Sequence, residues 1–161
     1  MNKAIELLNK NDSILVLDVD GVLAKIEWGE YNHYTLTDEE WNKACSNGKN
    51  YYTEKIVFKK MQKFLENKNI NNIYVITTVG TENEGKFKKE YVNKYYNILK
   101  ENVYYVKNNL QKKEALKKIK NKYNKINDNQ IIMIDDTVDV LTDIMENTNF
   151  STVHVSSFLD I

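Results

Sequence analysis

Four short runs of apolar, β-prone residues set the strongest limit on what this chain can fold into: ILVL at 14–17, IYVI at 73–76, VYYV at 103–106 and IIMI at 131–134. Each is of strand length and nearly continuous rather than alternating, the pattern of strands covered by helices on both faces of a parallel sheet. A weaker run, TVHV at 152–155, closes the series. The segments between them have helical spacing. Residues 53–66 place Val57, Met61 and Phe64 on one stripe with Phe58 and Leu65 beside it, and 84–99 do the same with Phe87, Tyr91, Tyr95 and Ile98. Segment 112–124 offers Leu116, Ile119 and Tyr123, and 137–146 offers Val138, Leu141, Ile144 and Met145. Thr81 and Glu84 stand at capping-box spacing before the second helix, and Asp136 or Thr137 is placed to cap the last. Strand and helix therefore alternate, which predicts right-handed crossovers and a Rossmann-like α/β fold of three layers. With 161 residues, no repeat and no linker, the chain is expected to form a single domain over 1–161.

Composition removes several classes of function. The 23 basic and 23 acidic side chains cancel, which argues against a protein that wraps duplex DNA. Cys45 is the only cysteine and His33 and His154 the only histidines, so neither an intrachain disulfide nor a Cys/His zinc site is available. The charges at Lys3, Glu6 and Lys10 interrupt any secretory signal, and no run approaches a membrane span. The expectation is a cytoplasmic protein in a reducing compartment, with no membrane association and no obligate protein partner. Every basic residue is lysine, so a bound phosphate would be met by ammonium groups, amides and hydroxyls rather than by arginine forks.

Residues 24–52 break the rhythm, with Trp28, Tyr31, His33, Tyr34, Trp41, Tyr51 and Tyr52 among polar neighbours and neither period clean. They read as an elaborated loop after the first strand, with a hairpin and a short helix at TDEEWNKACS. Such a loop either serves as a lid or binding segment or covers an exposed sheet end with its aromatics.

The chemistry-bearing residues follow the strands. Asp18-Val19-Asp20-Gly21 comes directly after ILVL, and Asp135-Asp136 directly after IIMI, with Asp139 one helical turn on. Ligands of open α/β sheets sit at the carboxyl ends of strands. Adjacent carboxylates there need a cation, a proton or a helix N-terminus to compensate them, and an all-oxygen set suits Mg²⁺. Asp136 and Asp139 are also placed to cap the last helix. Thr77 and Thr78 follow IYVI and lead into a helix start, where hydroxyls and amides can hold phosphate. Lys112 and Lys113 open the next helix, and a turn of about 100° per residue lets only one of them point at the site.

An Asp pair, a hydroxyl, a lysine and a second Asp pair, in that order at the strand ends, resemble the haloacid dehalogenase superfamily. LVLDVDGVL resembles its first motif, YVITT its second, the lysine of KKEALKKI its third and MIDDTVD its fourth, over roughly residues 13–140. The family often has Thr where Val22 stands. The resemblance implies a sheet in the strand order 3-2-1-4-5 and a Mg²⁺-dependent phosphomonoester hydrolase. Asp18 would be the nucleophile that becomes an aspartyl phosphate. Asp20 would be the acid and base, holding a proton while Asp18 stays ionised. Mg²⁺ would sit on Asp18, Asp135 and the Asp20 carbonyl, with Asp136 beside them; Thr77 or Thr78 and Lys112 would bind the phosphoryl group. The 35 positions from Thr77 to Lys112 leave no room for a cap domain, and the first gap is too short for the usual helical one. That implies an open site, suited to bulky phosphates or to a lid from a second subunit in a homo-oligomer. The layout is loosely similar to the phosphatase domains of polynucleotide kinase phosphatases, so the expected substrate is a nucleotide or a nucleic-acid phosphate end, with Trp28, Tyr31, Tyr34 or Trp41 stacking a base. A small-metabolite phosphatase and a non-catalytic binding domain on the same fold are the alternatives.

Overall fold

The computed structural model describes residues 3–25 and 36–160. The stretch 26–35, which carries Trp28, Tyr31, His33 and Tyr34, lies outside the described residues. A short helix α1 (Lys3–Leu8) leads into β1 (Ile14–Leu17), and the two-residue strand β2 (Ala24–Lys25) follows a tight turn. Then come α2 (Asp38–Ser46), a second two-residue strand β3 (Ile56–Val57), and α3 (Lys59–Leu65). From there the alternation is regular: β4 (Ile73–Thr78), α4 (Glu82–Tyr96), β5 (Val103–Val106), α5 (Lys112–Lys120), β6 (Ile131–Asp135), α6 (Val138–Asn147) and β7 (Ser151–His154). The main sheet is wholly parallel and runs β5-β4-β1-β6-β7, which is 3-2-1-4-5 when only its own strands are counted in chain order.

The near-continuous apolar strands are explained by two separate cores. Leu15 and Leu17, Ile73 and Val75, and Ile132 and Ile134 pack on one face with Met61 and Leu65 of α3 and Tyr91 and Val92 of α4. The alternate residues, Ile14 and Val16, Tyr74 and Ile76, and Ile131 and Met133, pack on the other with Leu116 and Ile119 of α5 and Leu141 and Ile144 of α6. A strand turns successive side chains to opposite faces, so a strand covered on both sides must be apolar at every position. The architecture is thus a three-layer, Rossmann-like α/β fold. No helix among the described residues is long and apolar enough to cross a membrane.

The structure alters the reading of two segments. The helical stripe expected over 53–66 begins only at Lys59, because Ile56 and Val57 pair antiparallel with Lys25 and Ala24 instead. The β-branched pair takes the extended form it favours. In 24–52 the helix at TDEEWNKACS forms as α2, closed by a reciprocal capping box between Thr37 and Glu40. The β2–β3 pairing ties the start of the insertion to the residues just beyond its end. Trp41 is not a free platform for a base. It is 2% exposed and stacks on Tyr51 at 4.5 Å, with Tyr52 edge-on at 6.4 Å. The described aromatics of this segment therefore cover the sheet with a buried cluster. Trp41→Ala is expected to cost about 3–5 kcal/mol of unfolding free energy in urea titrations, the range for a core aromatic; an unchanged midpoint would mean that the ring is not part of the core.

Candidate functional site

The register of two neighbouring strands assembles the site. Leu17 on β1 lies opposite Ile134 on β6, and the Asp18 amide donates to the Ile134 carbonyl at 3.0 Å. The next residues, Asp18 and Asp135, therefore emerge side by side. By the alternation of the strands they continue the face of Val16 and Met133, toward α5. Lys112, the first residue of α5, is 1% exposed, and its ammonium donates to Asp18 Oδ2 at 3.0 Å and to Asp135 Oδ2 at 2.8 Å. The remaining oxygens are held as well: the Val19 amide donates to Asp18 Oδ1 at 2.8 Å and the Thr137 amide to Asp135 Oδ1 at 2.9 Å.

Asp136 completes the group. Asp18, Asp135 and Asp136 each offer a carboxylate oxygen, and these atoms lie within 4.8 Å of one another. Burial and the charges of Asp18 and Asp135 push the Asp136 carboxyl up to about 6. Burial and Asp18 raise Asp135 too, against the pull of Lys112. Burial would lower Lys112, but the two carboxylates outweigh it and raise its ammonium. Three carboxylates against one ammonium leave two negative charges uncompensated, and this hard all-oxygen donor set fits Mg²⁺. Gly21 makes the approach of Asp136 possible. Its φ is +78°, and a Cβ there would lie 2.1 Å from Asp136 Oδ2.

Asp20 lies outside this carboxylate group and faces a different set of partners. Tyr52 donates its hydroxyl to Asp20 Oδ2 at 2.8 Å and to Oδ1 at 3.1 Å, while the Lys88 ammonium is 2.9 Å from Oδ2. The Lys55 ammonium is 4.0 Å from Oδ1. Burial alone would raise the Asp20 carboxyl, but Lys88, Lys55 and the Tyr52 hydroxyl together hold it below the ordinary carboxylate range. These partners favour the ionised carboxylate, whereas the acid and base role that the resemblance implies needs Asp20 to take up a proton during the reaction. Lys88 also touches Glu84 Oε1 at 3.2 Å, and it donates to Thr77 Oγ1 at 3.3 Å and to the Thr78 carbonyl at 2.6 Å.

The paired alternatives separate. Thr77 is 1% exposed and turns toward Lys88, whereas the Thr78 hydroxyl donates outward to Asn109 Oδ1 at 2.8 Å. Lys113 pairs with Asp143 of α6 at 2.9 Å and takes no part in the Asp18–Asp135 group. Asp139 is exposed in the first turn of α6, and the cap position before that helix is Thr137, with no side-chain cap bond. At α4, Thr81 caps the Glu84 amide at 3.1 Å, but the Glu84 carboxylate turns to the Gly80 amide at 2.8 Å and to Lys88.

A cleft of about 680 Å³ opens over these groups, with Asp18, Asp20, Thr77, Lys55, Lys88 and Asp136 on its wall. Lys112 lies beneath it, between the two aspartates. Sequence reasoning missed Lys88, Glu84, Tyr52, Lys55 and His154. For Lys88 and Glu84 a signal existed: they are one turn apart on the same helical face as Tyr91, a charged pair on a face that must be buried. His154 lies opposite Asp135 in the β6–β7 pairing. Its Nε2 donates to the Asp136 carbonyl at 3.0 Å, while Nδ1 accepts from the Ser156 amide at 3.2 Å.

No protein-family model matches the chain, and no curated protein matches it. Among solved structures, that of DsGPDH of Dunaliella salina superposes with a TM-score of 0.57 at 15% identity over 96% of this chain. The match takes in 25% of that protein's length, so this chain spans about a quarter of it. At that identity the likeness is one of fold.

The raised carboxyls carry a cost in the metal-free protein. Between the ordinary 3.8 and about 6, the folded state binds the Asp136 proton more tightly than the unfolded state, so stability falls as pH rises through that window. At pH 7.5 without divalent ions, Asp136→Asn is expected to melt about 2–4 °C above the parent, roughly a 1 kcal/mol gain at this size. Mg²⁺ should raise the parent's melting temperature and leave the variant's nearly unmoved. An equal Mg²⁺ shift in both proteins would remove Asp136 from the metal group.

Proposed function

We propose that the chain is a Mg²⁺-dependent phosphomonoester hydrolase of haloacid dehalogenase type, working through an aspartyl phosphate on Asp18. The observation that carries this reading is the meeting of Asp18, Asp135 and Asp136 at two adjacent strand ends, with a buried Lys112 ammonium joining the first two. Mg²⁺ held by these carboxylates would offset the charge of an incoming phosphate dianion, which an acidic site would otherwise repel.

The chain's own groups supply the remaining steps. Lys112 and the Val19 amide hold the two Asp18 oxygens in place, which orients the carboxylate for attack on phosphorus. As the bond from Asp18 to phosphorus forms, the bond to the ester oxygen breaks, and an alkyl oxygen must leave with a proton. Asp20 is ionised at rest, but a phosphate dianion beside it is a like charge that raises its carboxyl, so Asp20 can take up a proton as substrate binds. In the second half, Asp20 accepts a proton from water as the water oxygen attacks phosphorus. The bond from phosphorus to Asp18 then breaks, releasing phosphate and restoring the carboxylate. The Thr77 hydroxyl accepts from Lys88 at 3.3 Å and keeps its own proton to donate to a phosphoryl oxygen, with the Lys88 ammonium adding positive charge on that side of the cleft.

Para-nitrophenyl phosphate hydrolysis in the presence and absence of Mg²⁺ tests the reading directly. Activity is expected only with the metal, and Asp18→Asn should lower kcat by at least ~10³-fold with the melting curve preserved; undiminished turnover in that variant would reject Asp18 as nucleophile. Asp20→Asn should cost alkyl phosphates about 10²-fold or more in kcat, and para-nitrophenyl phosphate less, because nitrophenolate leaves without a proton.

A further inference from the structure

Lys55 stands apart from the other buried charges of the site. Its side chain is 6% exposed and lies on the cleft wall, its ammonium 5.6 Å from the Trp41 ring centroid and 5.9 Å from that of Tyr52. The closest carboxylate oxygen, Asp20 Oδ1, is 4.0 Å away, beyond hydrogen-bond reach, and no described residue accepts from the ammonium. Lys88 and Lys112, by contrast, are each held by two or more acceptors within 3.3 Å. Most of the Lys55 side chain is buried, which lowers its ammonium from its ordinary value, while the residue lines the cleft. A largely buried lysine at a cleft wall, with its nearest carboxylate oxygen 4.0 Å away, is a position that an anionic ligand completes.

Its place next to Asp20 says which part of a substrate that ligand group belongs to. Tyr52 reaches both Asp20 oxygens, Oδ2 at 2.8 Å and Oδ1 at 3.1 Å, and Lys88 lies on Oδ2, so Oδ1 is the less tightly held oxygen and the one to exchange a proton with the leaving group. Lys55 is beside Oδ1. A group attached to the carbon that bears the ester oxygen would therefore meet the Lys55 ammonium. One ammonium balances one carboxylate, and a carboxylate is small enough to fit one bond from that carbon. No described aromatic presents a free face for a nucleobase here, since Trp41 is buried against Tyr51.

Resting on the phosphatase reading above, we propose that Lys55 is a specificity-determining residue and that the substrates are phosphate esters of hydroxy acids, with the carboxylate on the ester-bearing carbon received by Lys55. The matched probes are 2-phosphoglycerate and glycerol 2-phosphate, which differ only in a carboxylate against a hydroxymethyl group on that carbon. The wild-type protein with Mg²⁺ should favour 2-phosphoglycerate about tenfold or more in kcat/KM, chiefly through KM. Lys55→Met keeps an apolar stem on the Trp41 and Tyr52 rings and should reduce that ratio to near unity, while Lys55→Arg should keep most of it. Any effect of Lys55 on Asp20 is common to both esters and cancels in the ratio. No preference in the wild type, or a preference that survives Lys55→Met, would overturn the inference and leave the phosphatase intact. Failure of the wild type to hydrolyse either ester and para-nitrophenyl phosphate would overturn the phosphatase reading, and this inference with it.

Discussion

The parallel pairing of β1 with β6 is the constraint on which the rest of the site depends. Leu17 opposite Ile134 in the register makes Asp18 opposite Asp135 unavoidable. Two carboxylates at neighbouring strand ends repel each other, and the sheet holds them there because the strands behind them are locked by burial on both faces. A slip of one residue in that register would turn every apolar side chain of β1 to the wrong face as well as separate the acids. The packing that makes the fold stable and the geometry that makes the site are therefore one interaction.

The same alternation divides the site between two sides of the sheet. Asp18 and Asp135 continue the face that packs on α5, and Lys112 at the start of α5 meets them. Thr77 follows Ile73 and Val75 on the other face, and there Lys88 of α4 meets it. Asp20 escapes the strand's period because the turn at Val19 to Ala24 folds the chain back, with the Leu23 and Ala24 amides both donating to the Val19 carbonyl at 2.8 Å. That turn delivers Asp20 to the α4 side, into the grip of Tyr52 and Lys88. A single D-x-D triplet thus supplies two carboxylates with opposite surroundings.

Much of this was legible in the sequence because it follows from period and position. The strand runs, the helix stripes and the acids after ILVL and IIMI each require only local information. The choice of Lys112 over Lys113 needed the face on which α5 packs, and Thr77 over Thr78 needed the parity of β4. The partners of Asp20 were beyond reach for a different reason. Tyr52 comes from the aromatic insertion, and Lys88 looks in sequence like one more lysine among KFKKE. The pairing of both with Asp20 depends on α2 and the β2–β3 ladder folding against α4. This is tertiary packing that no local pattern encodes, and Gly80 shows how close it is: a Cβ there would lie 1.9 Å from the Asn42 side chain.

In a chain without arginine, how charge is shared across the cleft matters more than how much there is. On the α4 side, Asp20 and Glu84 face Lys55 and Lys88, two charges against two. On the α5 side, three carboxylates face Lys112 alone. In the first group the charges balance, with Lys88 in short contact with Asp20 and Glu84 and Lys55 standing farther off at 4.0 Å from Asp20. The second carries an excess of negative charge, and the raised Asp135 and Asp136 carboxyls register that imbalance. On the proposed reading, a divalent cation would cancel the deficit and make the floor of the cleft no longer repulsive to a phosphate. The compact Lys112 ammonium bonds one oxygen of Asp18 and one of Asp135 below the cleft floor, while Asp18 and Asp136 line the cleft itself.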